Sequence, residues 1–259
     1  MKIDRRDGSN ESDYSSDEDV EDDQFDQDDD SSASSMDTDD DENYSLSPVE
    51  MQDITITMEK CRTIITTIRK SSILSEFVHT LAVDQSIKAG LIIDMRVRWN
   101  SSFKMLQRIL LYQVVLDKLY EQLHSLLGVT DQQRRKLVNS KINGNEWNLI
   151  QGLRRVLERF DEATKVLSGQ NYPTLSLSYA IVNSLSHYLN NRSDDAIENK
   201  IKELLLYSFG KYMNRDGKEM AFIRASALLD PLVHDLMKPE DKRAAEVFIA
   251  KEVSTKPFH

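Results

Sequence analysis

Gly90-Leu-Ile-Ile-Asp-Met-Arg-Val-Arg-Trp-Asn-Ser-Ser-Phe-Lys-Met-Leu-Gln-Arg-Ile-Leu110 is the stretch on which the reading of the fold turns. Up to Asn100 it alternates strictly. Leu91, Ile93, Met95, Val97 and Trp99 fall on one side and Ile92, Asp94, Arg96, Arg98 and Asn100 on the other, the pattern of a half-buried strand. The period then changes. Asn100, Ser101 or Ser102 is suited to accept the free amide hydrogens of a new helix, and Phe103, Leu106, Ile109 and Leu110 recur behind it at helical spacing. The spacing therefore predicts one strand feeding one long helix, about 103 to 127, through an Arg-Trp-Asn-Ser corner.

Upstream of that corner, Met58, Cys61, Ile65 and Ile68 make an apolar stripe of spacing four and three, which predicts an amphipathic helix from Ile54 to about Lys70. Leu74, Phe77, Val78 and Leu81 predict a second, shorter helix. Downstream, Gly128 ends the long helix, and 129 to 145 reads as a polar linker with one short helix. Asn145 is the expected N-cap of the strongest helix in the chain, with Trp147, Ile150, Leu153, Leu157, Phe160, Thr164 and Leu167 along one side. Helices follow from Thr174, from the Ser193-Asp194-Asp195 turn, from Ala221 to a stop at Asp230-Pro231, and from Pro239 to about Val253. The expectation is seven or eight helices and one strand, and a single strand has no stability without a sheet to join.

Charge divides the 259 residues near position 46. Residues 1 to 46 hold 19 of the 44 acidic residues and 3 of the 33 basic ones, a net −16, while the rest hold 25 and 30, a net +5. Little hydrophobicity with one sign of charge predicts a disordered acidic tail, because too little apolar surface is available to offset the chain entropy. Ser15, Ser16, Ser34 and Thr38 each have an acid three residues later, which suits acid-directed kinases. The single cysteine, Cys61, excludes an internal disulfide, and no second thiol or histidine lies close enough in sequence to suggest zinc. No apolar run approaches the roughly 20 residues needed to span a bilayer, and the N-terminus is acidic where a secretory signal is basic then apolar. A soluble intracellular protein is expected, with no cofactor, no membrane and no small-molecule substrate.

Three motifs in register carry a resemblance: Asp94-Met-Arg-Val-Arg-Trp-Asn-Ser-Ser-Phe-Lys-Met-Leu-Gln-Arg108, then Phe160-Asp-Glu-Ala-Thr-Lys-Val-Leu-Ser-Gly-Gln-Asn-Tyr-Pro-Thr-Leu175, then Leu229-Asp-Pro231. In this order and at these separations the chain resembles the hAT transposase superfamily and its BED-type zinc-finger relatives, from residue 54 to about residue 250. The resemblance implies a mostly α chain, a fragment of a ribonuclease H-like α/β fold dominated by its helical insertion. It also implies an arrangement of an acidic tail (1-46), a remnant of the ribonuclease H-like core (47-102) and the helical insertion with the helices after it (103-259). The family's chemistry needs three acids holding divalent metal for in-line attack on phosphodiester. The family places two aspartates upstream of anything in this chain and a glutamate beyond residue 259, so none of the three is matched here. The BED finger, the Cys-x-x-His element and the C-terminal dimerisation segment are not matched either. No catalytic residue and no metal ligand is expected.

Asp94 is expected to pair with Arg96 and Arg98 on its own face, and Asp230 to act as a helix stop; the family usually has arginine after that proline, where this chain has Leu232. The candidate nucleic-acid contacts are Arg96, Arg98 and Trp99. The resemblance implies that the indole stacks on an unpaired base beside Arg98 on phosphate, whereas periodicity packs Trp99 under the helix begun by Phe103. Arg134, Arg135, Lys136, Arg154 and Arg155 extend the candidate basic surface. Two readings stand: a catalytically inactive transposase-derived protein, nuclear by resemblance, with DNA binding or protein interaction, or a piece of an active transposase whose catalytic acids lie outside the chain. DNA, a second copy or a related transposase-like chain are the expected partners, and Leu91 to Val97 is expected to present an open strand edge that promotes self-association.

Overall fold

The computed structural model describes residues 48–96, 99–169, 174–212 and 217–255, all within one compact unit, Ser45–His259. The expectations for the acidic tail, for Val97 and Arg98, and for Tyr172-Pro173 lie outside the described residues. The helices are α1 (Pro48–Arg69), α2 (Ser72–Asp84), α3 (Trp99–Leu111), α4 (Gln113–Gln122), α5 (Asp131–Asn139), α6 (Gly144–Leu167), α7 (Thr174–Asn190), α8 (Ala196–Tyr212), α9 (Lys218–Leu229), α10 (Pro231–His234) and α11 (Pro239–Thr255).

The α character is as expected. The strand is not. Residues 91–95 run as irregular chain and Trp99 already belongs to α3, so no strand is present among the described residues. The alternation fails because it needs a neighbouring strand to satisfy alternate backbone groups, and helices supply none. Nor does burial follow its two sides. Ile93 and Met95, from the apolar side, are 43% and 49% exposed, while Asp94, from the polar side, is buried. The predicted open strand edge thereby loses its structural premise among these residues.

The predicted long helix is two, α3 and α4, joined at buried Tyr112 through backbone hydrogen bonds to Arg108 and Ile109. Beyond α4, the Arg134 guanidinium donates to the carbonyls of Leu123 and Leu126, so this arginine satisfies a helix C-terminus rather than a basic surface. Gly128 takes φ +84°, a left-handed conformation natural to glycine, and a side chain there would run into Ile73. The N-cap of α6 is Asn143, two residues before the one expected. It forms a capping box with Glu146, whose carboxylate also meets Lys60 at 2.6 Å.

One core joins α1 to α6 and α8 through Cys61, Ile64, Ile65, Ile68, Leu74, Leu106, Ile109, Leu116, Leu119, Ile150, Val156 and Ile201. A smaller core, built on Tyr179, Ala227, Val233, Met237 and Ala245, holds α7 and α9 to α11. Within the larger one, α3 lies against α6, and α6 against α8. Gly152 permits the second contact, since a Cβ there would stand 3.0 Å from Ile197 Cγ2 and 3.1 Å from Ile201 Cδ1.

Candidate nucleic-acid interface

The irregular segment 91–96 is fastened to α1 and α3 by side chains. Arg62 of α1 reaches across 32 positions to Asp94, with Nε 2.8 Å from Oδ1 and Nη2 2.7 Å from Oδ2. Ser102 Oγ donates to the same Oδ2 at 2.7 Å. Ser101 closes the turn, its Oγ accepting from Met95 N–H at 2.8 Å and donating to Met95 carbonyl at 2.9 Å. Burial alone would push the Asp94 carboxyl up, but the hydrogen bonds from Arg62 and Ser102 and the guanidinium charge outweigh it and hold it below the ordinary carboxylate range. The hydrogen bond to Asp94 raises Arg62 in turn. Asp94 therefore pairs with Arg62 and not with Arg96 as expected, while the expected pairing with Arg98 lies outside the described residues. The partner lies on another helix, where local spacing gives no signal.

Arg96 turns to Glu59 of α1, with Nη2 3.2 Å from both Oε1 and Oε2. Glu59 Oε1 also accepts from Arg62 Nη1 at 2.6 Å. The Arg96 side chain remains 73% exposed. Arg98 lies outside the described residues. Trp99 is 38% exposed, and its indole meets Phe160 of α6 edge-on at 6.0 Å and 71°. Phe160 in turn meets Phe209 of α8 at 6.4 Å. The first two sequence motifs thus join through Trp99 and Phe160. The second and third meet where Ser176, one residue past the second, donates to Asp230, which also accepts from Leu232 N–H and caps α10. Asp230 is a helix boundary, as its sequence position indicates.

Along α3, Lys104, Gln107, Arg108 and Leu111 share the side away from the core, as positions three and four apart do on a helix. Among the described residues no acid pairs with Lys104 or Arg108. From Met95 to Leu116 the sequence has four bases and no acid. Sequence reasoning overlooked this face because Lys104 and Arg108 look like ordinary solvated positions on the helix; the only local signal was the absence of acids. Of the other expected cations, Arg135 and Lys136 are exposed on α5, whereas Arg154 and Arg155 are compensated. Arg154 pairs with Glu158, and Arg155 with Asp195 and Glu198. Glu198 also holds buried Lys202 at 2.8 Å, whose ammonium lies 4.3 Å from the Tyr188 ring centre. Burial, followed by Glu198 beside it, pushes the Tyr188 phenol up to about 12. This cluster packs α6 to α8 and leaves no free charge for a ligand.

The resemblance implies divalent metal, and the described residues do not fit one: no group of three or more His, Cys, Asp or Glu side chains is placed to hold an ion. Asp94, the carboxylate of the corner, gives both oxygens to Arg62. Among the described residues no helix is long and apolar enough to cross a membrane.

Residues 49–155 match the family model of the ZBED1 RNase-like helical domain. The matched span contains α1 to α5 and the first half of α6, with the clasp around Asp94 at its centre. This likeness, confined to part of the chain, supports a relationship to hAT-type transposase-derived proteins. A Zea mays protein named "Putative AC transposase" is 29% identical over 125 residues, 48% of this chain and 14% of that protein. The chain thus spans a small share of that relative's length. No solved structure matches it.

Proposed function

We propose that this protein is a catalytically inactive, hAT-type transposase-derived module that contacts the backbone of nucleic acid through the outward face of α3 together with Arg96 and Trp99, and that it acts in the nucleus. The observation that carries the reading is the uncompensated pair Lys104 and Arg108, on a stretch free of acids that also holds exposed Arg96 and Trp99. Phosphate contacts by such cations release counterions, so binding is sequence-tolerant and falls steeply with salt. In this reading the described helices are the helical portion of a ribonuclease H-like transposase. Loss of catalysis is supported by the engagement of Asp94, the carboxylate of the corner, with Arg62.

The test is a salt titration of the full chain with single- and double-stranded DNA. Lys104→Ala and Arg108→Ala are each expected to weaken binding uniformly across sequences and to reduce the salt slope by about one. Absence of salt-dependent binding at low ionic strength refutes the interface. The second reading, a piece of an active transposase, is favoured instead if flanking genomic sequence continues the frame into the family's acids.

A further inference from the structure

Glu59 occupies a position at the corner that the nucleic-acid reading leaves unexplained. Its Oε1 lies 2.6 Å from Arg62 Nη1, and both of its oxygens stand 3.2 Å from Arg96 Nη2. Arg62 does not need it for neutrality, since Asp94 already takes two of its donors in bidentate geometry. The charge that Glu59 uniquely offsets is that of Arg96. Its carboxylate presents two anionic oxygens to the guanidinium, as a phosphate would. It is 41% exposed on one turn of α1, so the pair is reachable from solvent. Lys104 and Arg108 on the neighbouring helix have no such partner among the described residues.

We infer that Glu59 is an internal stand-in for phosphate that sets the affinity of the corner by occupying Arg96 in the free protein. The inference rests on the nucleic-acid reading above and adds to it the residue against which a ligand competes. Binding a phosphate at Arg96 exchanges one ion pair for another, so the corner gives little net gain there, and most of the free-protein field comes from Lys104 and Arg108. Removing the Glu59 charge frees Arg96 while leaving the Arg62–Asp94 clasp in place.

The experiment uses the full chain and a fluorescent single-stranded oligonucleotide, titrated at several salt concentrations. Four proteins are compared: wild type, Glu59→Gln, Arg96→Ala, and Glu76→Gln, which removes the same charge from an exposed site on α2. Glu59→Gln is expected to bind about two- to fivefold tighter than wild type, the range an exposed ion pair supplies, with a salt slope steeper by about one. Glu76→Gln is expected to change affinity by less. The double variant Glu59→Gln/Arg96→Ala should lose the whole gain. If Glu59→Gln binds no tighter than Glu76→Gln while Arg96→Ala still weakens binding, the inference is overturned and the interface stands. If neither wild type nor Glu59→Gln binds at low salt, both fall. Circular dichroism of each variant separates these outcomes from a folding defect.

Discussion

Truncating Asp94 to alanine removes three hydrogen bonds, two from Arg62 at 2.8 and 2.7 Å and one from Ser102 at 2.7 Å, and leaves the Arg62 guanidinium facing Glu59 alone. Breaking a buried ion pair from one side costs about 3–5 kcal/mol, because the remaining charge is left without compensation. Arg62 keeps Glu59 and is 16% exposed at its side chain, so the expected loss lies below that range, about 2–3 kcal/mol. Asp94→Asn retains an acceptor for Ser102 and is expected to cost about half as much. Urea denaturation of the full chain followed by helical ellipticity measures both. In a double-mutant cycle with Arg62→Met the coupling should reach at least about 1 kcal/mol. A loss under about 0.5 kcal/mol for Asp94→Ala, or an additive cycle, would show that the clasp does not hold the segment. The pH dependence supplies a separate check. The folded carboxyl lies below its unfolded value of about 3.9, so its stabilisation is fully present above that pH and is lost as pH falls through the folded value. The stability gap between wild type and Asp94→Asn should stay level from pH 8 to about 5 and close below about 4.

Burial pushes the Cys61 thiol up to about 12, so a maleimide or disulfide reagent at pH 8 should label it only after unfolding; prompt labelling of the native chain contradicts the buried site. Asn143→Ala removes one half of the α6 capping box and should lower stability by about 1 kcal/mol, read as a shift in urea midpoint at unchanged slope. Gly152→Val places two methyl groups where a Cβ already meets Ile197 and Ile201, and should cost about 1–3 kcal/mol. Thermal melts that show Gly152→Val as stable as wild type would mean that α8 can move away from α6.

Most helices were legible because their cause is local. Trp147, Ile150 and Leu153 recur at helical spacing and are buried in α6, and Cys61, Ile65 and Ile68 do the same in α1. The break at Tyr112 was not legible, since the apolar stripe of α3 continues into α4 and nothing in local propensity separates them. Of the candidate contacts, Arg96 and Trp99 are brought to one exposed corner, while Arg134, Arg154 and Arg155 are drawn into caps and ion pairs with residues distant in sequence or on the same helix.

The sequence by itself determined the helical class, the charge division near residue 46, the helix boundary at Asp230 and the motif at 94–108, which lies within the span that the family model matches. Each depends on neighbours within a few turns or on composition alone. Tertiary structure decided the fate of the alternating segment 91–96, the partner of Asp94 and which cations remain uncompensated. Alternation describes which side chains can share a face, but a strand forms only where another backbone takes up its amides and carbonyls. Here a guanidinium 32 positions upstream takes the one carboxylate of that segment instead, and the chain follows its side chain inward.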